Sequence, residues 1–167
     1  VNRSTVISLE VSGGFAEASD SRLGFAVVDG TGDLTLRKTE ITKDSNTSLR
    51  VNGGKVSIKD GTQIPCIVLV TGGEVQIDGG TFYGYEGCWL EQRGGLVSVD
   101  NGAIEGVALI AEGEYRVSGG SFASATEGDC CLYQIGGKST IENTELNAKP
   151  LKSTVDGKTQ ITHTCIQ

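Results

Sequence analysis

Glycine returns along this chain at a spacing that few folds can use. Gly32, Gly54, Gly73, Gly95, Gly113, Gly137 and Gly157 each open a short run of alternating apolar and polar residues, and successive members stand 18 to 24 residues apart. Two positions after each anchor come Leu34, Val56, Val75, Val97, Tyr115, Ser139 and Thr159. Four positions after come Leu36, Ile58, Ile77, Val99, Val117, Ile141 and Ile161, and the residues between the two columns are all polar. Alternation with a period of two is the mark of a strand with one buried face. Seven after the anchor stands a small residue (Thr39, Gly61, Gly80, Gly102, Gly120, Thr144, Thr164), where the chain must turn. Nine after stand Ile41, Gln63, Phe82, Ile104, Phe122, Leu146 and Ile166, an inward column in which Gln63 is the exception.

A coil of about twenty residues is too small to bury its own apolar face, so like coils stack. The expected fold is all-β: a single-domain parallel β-helix, or solenoid, of seven full rungs. Residues 6–15 add an irregular first rung, so that 1–28 form an N-terminal capping rung and 29–167 the β-helix. A β-sandwich is the main rival, but it demands no columns of like residues a full repeat apart. The glycine count of 25 against 2 prolines lacks the every-third-residue period of collagen, and the recurring Val, Ile and Leu exclude disorder.

The net charge of −7, with Arg37-Lys38 the longest basic cluster, argues against nucleic acid as a partner. No apolar run approaches the roughly 18 residues of a membrane span, so no membrane insertion is expected. The opening VNRSTVISLEVSGG, broken by Arg3, Ser4, Ser8 and Glu10, does not read as a signal peptide.

Before each anchor lies a second strand. Its inward column is expected to be Val27, Leu49, Val68, Leu90, Ala108, Leu132 and Lys152. The opposite parity ought to face water, yet it carries Ile67, Leu69, Trp89, Val107, Leu109 and Tyr133. A monomer rarely exposes an apolar patch of that size. Three covers are open: a loop of the same chain, self-association as a dimer or trimer, or a glycan or protein ligand packing on Trp89 and Tyr133.

Cys66, Cys88 and Cys130 fall in one inward column, with Cys66 and Cys88 in adjacent rungs and therefore within reach of a disulfide. A ladder of small buried thiols is the favoured alternative. Five cysteines with no CxxC spacing and one histidine, His163, make no metal site, and no cofactor is expected. Asp78 and Asp100 share a column in adjacent rungs and are the one carboxylate pair at a spacing that glycoside cleavage uses. Their column also holds Arg37, Lys59, Ser118, Glu142 and Thr162, which reads as ordinary surface, so no enzymatic activity is expected.

The rungs GGEVQIDGGTF, GGLVSVDNGAI and GEYRVSGGSF resemble the coils of right-handed parallel β-helix proteins found in bacteriophage tailspikes and fibres and in bacterial surface adhesins. The resemblance covers roughly residues 29–167. It implies a right-handed coil, an extracellular, virion or cell-surface location, and attachment to host surfaces or glycans. The expected function is a non-catalytic structural or adhesive module, with self-association or another virion or surface protein as its partner. Two alternatives stand beside it. One is a carbohydrate-binding module with Tyr83, Tyr85, Trp89 and Tyr133 as stacking platforms, and the other a small polysaccharide hydrolase or lyase using Asp78 and Asp100.

Overall fold

The computed structural model describes residues 3–42, 47–123 and 131–147, with only the backbone of 85, 86 and 145–147. These residues form an all-β parallel solenoid of about six turns. The seventh anchor, Gly157, lies outside them, as do His163, Cys130 and Cys165, and the count therefore falls short of the seven full rungs expected.

Each turn contributes to three parallel sheets. The first stacks Phe15–Ser19, Asp33–Arg37, Lys55–Lys59, 74–78, 96–100, 114–117 and Lys138–Ile141. The second is built from very short segments: Thr5 on Arg22, Arg22 on Glu40, Glu40 on Gln63, Gln63 on Thr81, Ala103 on Ser121 and Ser121 on Glu145. The third stacks 8–11, 25–28, Thr47–Val51, Ile67–Val70, 90–92, 108–110 and Leu132–Gln134. Residues 3–28 supply strands to all three sheets, in register with the turn that follows.

The glycine anchors have a steric cause. Gly73, Gly95, Gly113 and Gly137 have φ of 74°, 71°, 92° and 69°, in the left-handed region where a Cβ is disfavoured. They also stack on one another. A Cβ on Gly95 would lie 2.5 Å from the Gly73 carbonyl oxygen, and one on Gly113 would lie 2.5 Å from that of Gly95. Only glycine satisfies both conditions at this corner, and both recur at each anchor from Gly54 to Gly137.

The anchored columns are the core. Leu34, Val56, Val75 and Val97 are fully buried, as are Leu36, Ile58, Ile77 and Val99, with Tyr115 and Val117 continuing the two files. The second-sheet file runs Leu23, Ile41, Ile64, Phe82, Ile104, Phe122. Toward the far end Ser139 enters the first file, and its buried hydroxyl finds no partner.

Three expected positions are corrected, each at a corner where one turn holds a different number of residues. Lys59 pairs with Asp78 and Gln63 with Thr81, so 60, 61 and 62 occupy a corner that takes only 79 and 80 in the next turn. The extra residue moves Gln63 out to solvent and puts Ile64 into the column, opposite Phe82. In the first turn Val28 lies against Val51 and Ala26 against Leu49. Ala26 and Val28 are therefore the inward pair and Val27 points out, because the corner 29–32 is one residue longer than 52–54. The third correction is Trp89, which is fully buried instead of lying on the outer face. Third-sheet pairing in its turn begins only at Leu90. Between the Phe82 and Leu90 pairings stand residues 83–89, against only 65–67 in the turn before, which frees Trp89 from strand alternation, and it turns inward to meet Phe82 edge-on, ring centroids 5.2 Å apart.

Candidate functional site

The third face is where the sequence placed an apolar patch. Without Trp89 the patch consists of Ile67, Leu69, Val107, Leu109 and Tyr133, all half-buried side chains that project outward. Register puts Arg50, Leu69 and Glu91 side by side on three successive turns, and Leu109 beside Tyr133. The outer file along this sheet is therefore a cation, a leucine, an anion, a leucine and a tyrosine. Arg50 lies over the Phe25 ring, its Cζ 5.7 Å from the ring centroid. Glu91 accepts a hydrogen bond from Arg93 Nε at 2.7 Å.

Beneath this face runs a device the sequence reading passed over. Gln92 is fully buried in the column between Val70 and the Ile110 turn. Its Nε2 donates to the carbonyl of Gly95 at 3.1 Å and to that of Glu114 at 2.9 Å, while its Oε1 has no partner. Gln134, which pairs with Ile110, repeats the arrangement by donating to Gly137 O at 3.0 Å. A glutamine three residues before an anchor glycine thus ties down the carbonyl that the left-handed turn exposes. The sequence carries the signal three positions before the anchors, where Val51, Val70, Gln92, Ile110 and Gln134 stand in one column.

The expected glycan platforms are scattered. Tyr83 is 47% exposed and lines a shallow groove of about 280 Å³ on the second face, with Glu105, Thr81, Ala103 and Ser121. Trp89 is inside, Tyr133 is on the third face, and the side chain of Tyr85 lies outside what is described. Tyr83, Trp89 and Tyr133 do not form one site.

Asp78 and Asp100 do occupy neighbouring turns of the first sheet, but each is engaged. Asp78 is paired with Lys59 at 3.3 Å, and Asp100 accepts a hydrogen bond from Ser118 Oγ at 2.8 Å. Glu114, further along the same face, is held below the usual carboxylate range by the hydrogen bond from Arg116 and, more weakly, by Lys138. The face is a lattice of exposed ion pairs that includes Lys55 with Glu74 at 3.3 Å. Among the described residues no three His, Cys, Asp or Glu side chains are grouped so as to hold a metal ion.

Cys66 and Cys88 carry free thiols, so no disulfide joins them. Cys88 donates to the Leu90 carbonyl at 3.2 Å, and burial pushes both thiols above their usual range. Cys131 is buried and forms no disulfide. It sits in the same column as Trp89 and turns inward with it.

No protein-family model, no curated protein and no solved structure matches this chain.

Proposed function

We propose that the chain is a non-catalytic structural and adhesive rod of a phage particle or bacterial surface, which works by assembling with a second copy of itself through the third face. The observation that carries the reading is the file Arg50, Leu69, Glu91 on successive turns. A two-fold axis lying between two facing sheets, parallel to the strands and level with Leu69, exchanges the levels of Arg50 and Glu91 between copies. Two copies laid face to face and antiparallel would then set each Arg50 against the partner's Glu91, with the leucines buried between them. A surface that complements itself in this way is what an isologous dimer requires. The half-exposed Ile67, Val107, Leu109 and Tyr133 supply apolar area around that centre.

Sedimentation velocity on charge-exchanged variants tests this. Arg50→Glu alone and Glu91→Arg alone set like charges against each other and should both drive the protein to monomer. Arg50→Glu combined with Glu91→Arg should restore the dimer. A monomeric wild type, or a double variant that stays dissociated, would defeat the reading.

A second reading, binding of carbohydrate, is favoured by Tyr83. It is a large aromatic, 47% exposed, beside a floor of the small side chains Thr81, Ala103 and Ser121, which suits a sugar ring stacked on the tyrosine. Loss of retention on a neutral oligosaccharide column in Tyr83→Ala tests it.

A further inference from the structure

The Tyr83 groove has a continuation. A second groove, of about 530 Å³, occupies the other end of the same face, and its floor is Thr5, Arg22, Glu40 and Gln63. Gln63 pairs with Thr81, the first floor residue of the Tyr83 groove, so the two lie on one outward file parallel to the rod axis.

The wall of this second groove is unusual. At the corner between the first and second sheets Arg3, Asp20 and Lys38 have φ of 50°, 48° and 47°, and Gly61 continues the corner at 76°. They stack in order: Arg3 N–H donates to Ser19 O, Asp20 N–H to Arg37 O and Lys38 N–H to Asp60 O, at 3.0, 3.1 and 3.2 Å. Later turns put Gly80, Gly102 and Gly120 at this corner, and the last described turn puts the uncharged Asn143 there, at φ of 51°. The first turns instead hold three charged side chains in a conformation that glycine would adopt without strain. Strain kept where a ready replacement exists points to a use for the side chains.

The charges are not consumed locally. Arg22 and Glu40 pair with each other through two contacts of 2.8 and 3.1 Å. Arg3 and Lys38 have no ion-pair partner among the described residues. The Lys38 stem lies across Gly61, where a Cβ would come within 2.8 Å of its Cγ. The groove therefore presents two cations against the one unpaired carboxylate of Asp20, on a chain of net charge −7.

We infer that this face binds an acidic polysaccharide strand lying along the rod, its anionic groups met by Arg3 and Lys38. The two cations are two turns apart, about 10 Å at the strand spacing, close to the advance of a disaccharide in an extended chain. Asp20, between them, is placed to accept hydrogen bonds from sugar hydroxyls, as are Thr5 and Gln63 on the floor. An acidic peptide is a poorer fit. The floor segments already spend their backbone groups on neighbouring turns, for example Glu40 N–H on Ser21 O and Gln63 N–H on Thr39 O, which leaves no edge for strand addition. This inference extends the carbohydrate reading, and the test below separates their failures.

The test is retention of the full chain on an immobilised galacturonic acid oligomer and on its neutral methyl ester. Wild type should hold the acid form more tightly than the ester, and the difference should shrink at high salt. Arg3→Asn combined with Lys38→Asn should lose about tenfold or more in affinity for the acid form. Its melting temperature should be unchanged or raised, since asparagine tolerates the left-handed region better than arginine or lysine. Equal retention of acid and ester would overturn the inference and leave the carbohydrate reading standing. Retention of neither would overturn both. A double variant that binds the acid form like wild type would overturn the assignment to these residues.

Discussion

At the scale of single residues, the solenoid depends on positions that tolerate one side chain only. Gly95 has φ of 71° and the Gly73 carbonyl oxygen 2.5 Å from where its Cβ would be. Gly95→Ala should therefore cost about 2–4 kcal/mol in a denaturant titration, more than backbone strain alone. Trp89 is fully buried, and Trp89→Ala should cost about 3–5 kcal/mol. Trp89→Phe should be milder than its lost volume suggests, because it removes a buried indole N–H that has no acceptor. Cys66, Cys88 and Tyr115 are all pushed upward, chiefly by burial, from ordinary values of 9.0 for the thiols and 10.0 for the phenol. These groups lose protons more readily in the unfolded chain. The stability they protect is complete below pH 9 and should fall as pH rises beyond it, as a series of denaturant midpoints across alkaline pH would show. In the native state at neutral pH, mapping of alkylated sites should find Cys66 and Cys88 largely unmodified.

At the scale of strands and corners, the sequence was readable where each turn repeats the last. The first-sheet files from Leu34 to Tyr115 and from Leu36 to Val117 lie inward in the structure, as strand alternation required. It misled where a corner gains a residue, because a slip of one reverses every side chain after it. Gly61 displaced Gln63 outward in favour of Ile64, and the longer corner at 29–32 turned Val27 out. Trp89 was misread for the same reason, since alternation was extended through a corner that had suspended it. The groove wall was hidden differently. Nothing in the letters Arg3, Asp20 and Lys38 says that they share a left-handed corner, because that column reads as glycine only in later turns. Of the expected side chains, Ile67, Leu69, Val107, Leu109 and Tyr133 point outward on the third face while Trp89 does not, and Tyr83 and Tyr133 lie on different faces.

At the scale of the whole molecule, the coil repeats surface files from turn to turn, and its two outward features lie on different faces. The apolar file with Arg50 and Glu91 is on the third face, and the polar groove with Arg3 and Lys38 is on the second. A dimer closed through the third face would leave both grooves open and present them in two copies, so that weak contacts to a polymer reinforce one another. The central claim is that the third face is a contact between copies. The most direct measurement is absolute mass by light scattering behind a sizing column, followed down a dilution series. A species at twice the chain mass of 17.4 kDa, dissociating on dilution, is the predicted result. A mass of 17.4 kDa at every concentration would contradict it.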